Sequence, residues 1–109
     1  MRDHAKGGAL TEVTFFILLS LIEPRHGYGI MQFIEKETKG RLTLGAGTLY
    51  GALNTMLEKG WIRLADNELG RKKYYVLTEA GHEMMINEQD RLKEVIKTAS
   101  RILGDDDNE

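Results

Sequence analysis

The sequence predicts a mainly helical, single-domain α+β fold with one small β-hairpin. Three observations carry that expectation. Apolar-rich stretches are punctuated by helix-stop signals at Pro24, Lys39-Gly40, Gly60 and Gly104. Two short runs, Trp61-Ile62-Arg63-Leu64 and Tyr74-Tyr75-Val76-Leu77, flank a polar, turn-rich segment and read as paired strands. The chain has 109 residues, of which 41% are hydrophobic and 29% charged, enough for one core and ordinary for a globular protein.

Taken in order, residues 1–9 form a polar, flexible arm containing Gly7-Gly8. A strongly apolar first helix follows, with Leu10, Val13, Phe16, Ile17 and Leu21, and is expected to end near Glu23 because Pro24 disfavours helix at the residue before it. His26-Gly27-Tyr28-Gly29 is expected as a turn opening a second helix, which presents Ile30, Met31, Phe33 and Ile34 and stops at Lys39-Gly40. Tyr28 is expected in the core. Leu42-Thr43-Leu44 alternates and reads as a short strand, and Gly45-Ala46-Gly47 as a turn. A third helix spans about Thr48 to Lys59, because Leu49, Ala52, Leu53, Met56 and Leu57 recur at spacings of three and four. In the hairpin, one of Tyr74 and Tyr75 should face the core. Thr78 suits the N-cap of a long last helix, with Glu79 at its positive end and Gly104 as its stop. The division is residues 10–77 for the three-helix-and-hairpin domain, 78–104 for the last helix and 105–109 for a disordered acidic tail.

Composition narrows the function classes. The absence of cysteine excludes a disulfide scaffold, a thiolate zinc site and a cysteine nucleophile, and fits a reducing cytoplasm. The apolar run from Val13 to Ile22 is shorter than the about 20 residues a membrane span needs. It also lacks the flanks of a signal peptide, so no membrane partner is expected. Net charge is −2, but its distribution is uneven. Residues 36–75 carry 8 basic and 4 acidic side chains, whereas residues 76–109 carry 4 and 9. A basic middle is where a nucleic-acid footprint would lie, although charges also simply solvate separate faces.

Three helices with a hairpin behind the third make a winged helix-turn-helix. In that motif the second helix of the pair enters the major groove, so its outer face must be small enough to approach and polar enough to read base edges. Thr48, Gly51, Asn54 and Thr55 meet that description, as would an ordinary solvated helix face. In the hairpin Arg71, Lys72 and Lys73 stand in a row, with Arg63 on the partner strand. Such clustered cations displace counterions from phosphates, and lysines also protect a strand edge from pairing. Double-stranded DNA is the expected partner; a winged helix that binds protein is the rival.

Four segments carry a family resemblance: His26-Gly27-Tyr28-Gly29-Ile30, then Gly47-Thr48-Leu49-Tyr50-Gly51-Ala52-Leu53, then Leu57-Glu58-Lys59-Gly60-Trp61-Ile62, and finally the run Gly70-Arg71-Lys72-Lys73-Tyr74-Tyr75-Val76-Leu77-Thr78-Glu79-Ala80-Gly81. In this order and spacing the chain resembles the PadR family of bacterial transcriptional regulators, in its compact branch with a single C-terminal helix. The resemblance implies a winged helix, a dimer made through the last helix, and repression that small molecules relieve in several members. It puts Thr48, Tyr50 and Gly51 near DNA and Arg71, Lys72 and Lys73 in the wing. The chain departs from the family in having Gly51 where many members have proline. Its tryptophan, Trp61, stands at the hairpin rather than in the last helix, where some ligand-binding members carry one.

The last helix supports the dimer independently. Leu92, Val95, Ala99 and Ile102 follow the spacing of a coiled-coil seam, and Ile96 and Leu103 widen it. A homodimer of this kind would read a palindromic operator as a repressor. Phe15, Phe16, Met85 and Ile96 are candidate linings of a cleft for a small aromatic ligand, with simple core packing as the alternative. No enzyme, metal or cofactor is expected. The histidines are His4, His26 and His82, and among the residues one turn from His82 only Glu79 could join it as a ligand.

Overall fold

A computed structural model describes residues 8–66 and 73–104. Its elements are α1 (Glu12–Ser20), α2 (Gly27–Glu37), α3 (Ala46–Glu58), β1 (Ile62–Asp66), β2 (Lys73–Leu77) and α4 (Glu79–Leu103). Arg71, Lys72, the arm up to Gly7 and the acidic tail lie outside the described residues.

Side-chain caps open α1, α2 and α4. The Thr11 hydroxyl accepts from the Thr14 N–H at 3.1 Å, and Thr78 accepts from Gly81 at 3.1 Å. At α2 the cap is His26, whose Nδ1 accepts from the Gly29 N–H at 3.2 Å. That bond needs an unprotonated Nδ1. α3 begins two residues before Thr48, at Ala46, with Gly45 as a cap that offers no side chain. Gly45-Ala46-Gly47 is thus the first turn of the helix rather than a free turn.

The helix ends are closed by backbone. After α3, Gly60 at φ +77° lets its N–H reach Leu57 and the Trp61 N–H reach Met56. After α2 the same pair of bonds runs from Lys39 to Lys36 and from Gly40 to Glu35, with Lys39 itself at φ 53°. α1 ends at Ser20, earlier than Glu23. Pro24 has no N–H to bond the Ser20 carbonyl as a continuing helix would, and that carbonyl accepts from Arg25 Nε at 2.6 Å instead.

Leu42-Thr43-Leu44 does not form the expected strand. The Leu42 N–H donates to the Thr38 hydroxyl at 3.1 Å, and that hydroxyl itself donates to Ile34, so the segment is folded back onto the end of α2. The residue that does extend the hairpin is Arg25. It makes a single antiparallel bridge with Tyr75 on the outer edge of β2. β1 and β2 pair antiparallel from Ile62↔Leu77 to Asp66↔Lys73.

Among the described residues, α1 to α4 and β1 all feed one core. Ile17, Leu18, Ile30, Ile34, Leu49 and Leu53 are fully buried, and Ile62 and Met85 close the hairpin and α4 sides. Each such side chain contributes about 1.5–3 kcal/mol by leaving water. α1 is apolar over most of its circumference, with Glu12 exposed at its start, so it meets the core on more than one side. α4 behaves differently along its length. Gly81, Met85 and Glu88 are buried, whereas Val95, Ile96, Ile102 and Leu103 are exposed. A helix of 25 residues is about 37 Å long, and its far half runs beyond the core. The long axis of the molecule is accordingly 55 Å.

Candidate nucleic-acid interface

The buried stripe of α3 is Leu49, Leu53 and Met56. With 3.6 residues per turn, its opposite face must carry Thr48, Gly51, Asn54 and Thr55, and all four are exposed. A Cβ built on Gly47 or Gly51 would meet nothing within 4 Å, so this face is low and unobstructed. The Thr55 hydroxyl donates back to the Gly51 carbonyl at 3.3 Å. The amide of Asn54 stands on the same exposed surface.

Tyr50 lies at the edge of this face, 43% exposed, with its ring over the backbone of Gly27. A Cβ on Gly27 would stand 2.2 Å from the Tyr50 hydroxyl oxygen, so glycine here leaves room for the Tyr50 ring to lie where it does. Tyr28 is 61% exposed and not in the core. The reason is helical phase: Tyr28 sits about 200° around α2 from Ile30, which faces inward. Gly27 is the buried residue of that turn, and Tyr28 projects away beside Tyr50.

The hairpin completes the surface. Alternation along β2 puts Leu77, Tyr75 and Lys73 on one face. Leu77 and Tyr75 pack on the core, and Lys73 extends the row outward. His26, Gly27, Tyr28, Tyr50, Tyr75 and Lys73 together line an open groove of about 480 Å³ where α2, α3 and β2 meet. Burial, and then the neighbouring Tyr50, push the Tyr75 phenol above its ordinary value, so it stays neutral. Tyr74 takes the other face and stacks on the His26 ring, with centroids 6.1 Å apart. Arg63 pairs with Val76, so it stands exposed on the face opposite Lys73. The structure therefore gathers Tyr50 and Lys73 beside the outer face of α3 but separates Arg63 from them.

On α4, Leu92 and Ala99 are half-buried, while Val95, Ile96, Ile102 and Leu103 are 47%, 62%, 67% and 79% exposed. Phe15 and Phe16 pack against the core and Met85 is 4% exposed within it. Ile96 lies about three turns further along α4, outside the core.

Three contributors escaped the sequence reading. Arg25 holds α1, α2 and β2 together, and His26 is a cap rather than a turn residue. Glu88 is 4% exposed and its carboxylate receives both Nε and a terminal nitrogen of Arg91, at 2.9 and 2.7 Å, and the Leu10 N–H at 3.3 Å. Its signal was the spacing of Glu88 and Arg91, which equally describes a solvated pair.

Among the described residues no group of three His, Cys, Asp or Glu side chains is arranged to hold a metal ion, and no helix is long and apolar enough to cross a membrane. The transcriptional regulator YqjI of Escherichia coli K12 is 26% identical over 98 residues, covering 83% of this chain and 47% of that protein. The chain thus spans about half the length of the curated relatives it matches. A transcriptional regulator from Clostridium thermocellum superposes with a TM-score of 0.74 at 25% identity, over 93% of this chain and 95% of that one. A PadR family transcription regulator from Clostridium difficile R20291 shares the fold with a TM-score of 0.72 at 24% identity, over 85% and 99% of the two chains. The model of the PadR-like family of transcriptional regulators matches residues 17–87. That stretch is more than half of the chain and includes α2, α3 and the hairpin: the chain belongs to the PadR-like family of transcriptional regulators, a family of regulators and not of enzymes.

Proposed function

We propose that the chain works as a homodimeric repressor that binds a palindromic operator, with α3 in the major groove and the hairpin against the phosphate backbone. The observation that carries this reading is the outer face of α3. Its small, exposed, polar residues can approach base edges, and a groove bearing tyrosine hydroxyls and Lys73 runs beside it. Thr48, Gly51, Asn54 and Thr55 are the reading residues, and Asn54 suits a bidentate contact to adenine. Tyr50 and Lys73 hold phosphate, and Arg71 and Lys72, which lie outside the described residues, add their charge to the same task. Arg63, on the other hairpin face, takes a phosphate further round the duplex or none.

The far half of α4 supports the dimer, because its exposed apolar stripe suits a second copy better than water. Two copies related by a two-fold axis would read half-sites about 34–36 Å apart or a multiple of that. Release by a small aromatic inducer would act by shifting this spacing.

The test is binding to the chain's own promoter region at two salt concentrations. Affinity should fall steeply with salt. Replacing Arg71, Lys72 and Lys73 with alanine should weaken binding to all sequences alike and reduce the salt slope by about one unit for each phosphate no longer neutralised. Full affinity and slope in the triple variant would show that the wing does not touch phosphate. No binding to any duplex would favour a protein partner instead.

A further inference from the structure

Arg25 is held to α1, α2 and β2 at once. Its Nε donates to the Ser20 carbonyl at 2.6 Å, at the end of α1. Ser20 is fully buried, so water has poor access to replace that donor. The guanidinium lies over the Phe33 ring of α2, 4.8 Å from its centroid. The Arg25 backbone exchanges two hydrogen bonds with Tyr75 of β2, the Tyr75 N–H to the Arg25 carbonyl at 2.8 Å and the reverse at 3.3 Å. The next residue, His26, caps α2 and stacks on Tyr74. This seam ties the outer edge of β2 to the helices, and Lys73 lies two residues along the same strand.

We infer that Arg25 is a positioning residue for DNA recognition: by clamping the loop before α2 to the end of α1, it fixes the angle at which the hairpin stands to α3. The inference rests on the proposed DNA reading and deepens it. A two-stranded hairpin alone is marginal in water, and its free edge is steadied at one point, the Arg25–Tyr75 bridge. The side chain sets that bridge. A planar guanidinium can donate to a carbonyl and lie flat on a ring at once, whereas an ammonium offers a point charge with no plane. Without the clamp the loop gains freedom, the bridge opens more often, and Lys73 no longer keeps its register with the face of α3.

Arg25→Ala and Arg25→Lys test this together, with Met85→Leu as a core variant away from the seam. The first readout needs no DNA. Amide hydrogen exchange at Tyr75 should quicken at least tenfold in both Arg25 variants relative to wild type, and remain near wild type in Met85→Leu. Unchanged Tyr75 protection in Arg25→Ala would overturn the inference whatever the chain binds. The second readout is DNA affinity against salt at a temperature where every variant is folded. Both Arg25 variants should show a reduced salt slope, and adding Lys73→Ala to Arg25→Ala should have a smaller effect than Lys73→Ala has alone. A wild-type slope in Arg25→Lys would mean that Arg25 serves as a charge beside phosphate, and would overturn the positioning role. If the wild type binds no duplex, the DNA reading fails, and with it the part of the inference that concerns DNA; the exchange result alone would then report the seam.

Discussion

The outer face of α3 and the far half of α4 are both left uncovered by the chain's own core, yet their chemistry is opposite. On α3 the uncovered residues include Thr48, Gly51, Asn54 and Thr55, small and uncharged, with Glu58 at the end of the same face and Tyr50 at its edge. On α4 they are Val95, Ile96, Ile102 and Leu103, large and apolar. A polar face of low relief can stay in water at no cost and exchange it for base edges when DNA arrives. An apolar stripe in water is unfavourable by about 25 cal/mol per Å², so it suits a surface that is covered for most of the protein's life. The contrast separates a surface for a transient partner from one for a permanent partner.

The largest expected effect comes from breaking the α4 side. Leu92→Glu with Val95→Glu should give a monomer or an unfolded chain, with operator affinity reduced on the order of 10³-fold or more. Ile102→Glu isolates the monomer outcome, because Ile102 is 67% exposed and its replacement costs the single chain little. Sedimentation of wild type and both variants decides. A wild-type monomer at micromolar concentration that still binds a palindromic site tightly would remove the basis of the comparison.

Next in size is Gly81→Ala, in the near half of α4. A Cβ there would sit 2.0 Å from the Trp61 carbonyl oxygen, a backbone atom that cannot step aside. The Thr78 hydroxyl donates to the Gly60 carbonyl at 2.6 Å in the same place, so helix and hairpin root are pressed together. The cost should be about 3 kcal/mol of stability, read by thermal denaturation at fixed protein concentration. An unchanged Tm would show that α4 docks less closely than this, and the division between its halves would lose its sharpness.

Asn54→Ala probes the other side of the comparison. It should leave stability unchanged, since Asn54 is exposed. It should cost about 2 kcal/mol in operator binding and relax preference at one base pair. A uniform loss across all sequences, measured by competition with single-base variants of the operator, would assign Asn54 to the backbone instead.

Much of this division was readable in the residues alone, where periodicity runs long enough. α3 and α4 each show a stripe over several turns, and Thr78 and Gly104 mark the ends of α4 where the structure has them. Three residues of alternation at Leu42-Thr43-Leu44 were too few, and one side-chain hydroxyl, that of Thr38, decided the segment's course. Arg25 joins Tyr75 across fifty residues through a single bridge, which leaves no periodic trace. Tyr28 was misplaced because a tyrosine among apolar residues reads as core. Its phase relative to Ile30 depends on where α2 begins, and the His26 cap that sets this start is itself a local hydrogen bond.

The smallest effect concerns the point where α4 leaves the core. Glu88 is the last buried residue of the helix, and its carboxylate binds Arg91 and the Leu10 N–H. The hydrogen bonds from Arg91, with a further contribution from the Leu10 N–H, hold the Glu88 carboxyl below its ordinary value against the opposing effect of burial. A carboxyl lowered by folding stabilises the native state at pH above its unfolded value, about 4.3, and loses that contribution as pH falls through the folded value. Glu88→Gln should therefore cost about 1.5 kcal/mol at neutral pH, at the low end for charged hydrogen bonds because the Arg91 side chain is 34% exposed and regains water. The gap between wild type and variant should narrow as pH drops below about 4. Denaturant unfolding at pH 7 and pH 3.5 measures it. The Leu10 bond connects the near half of α4 to the segment leading into α1, so the variant should also raise exchange at the Leu10 amide without disturbing α3. A gap that stays constant with pH would mean that Glu88 is held by packing rather than by charge, and that the near half of α4 ends on an apolar contact rather than on this ion pair.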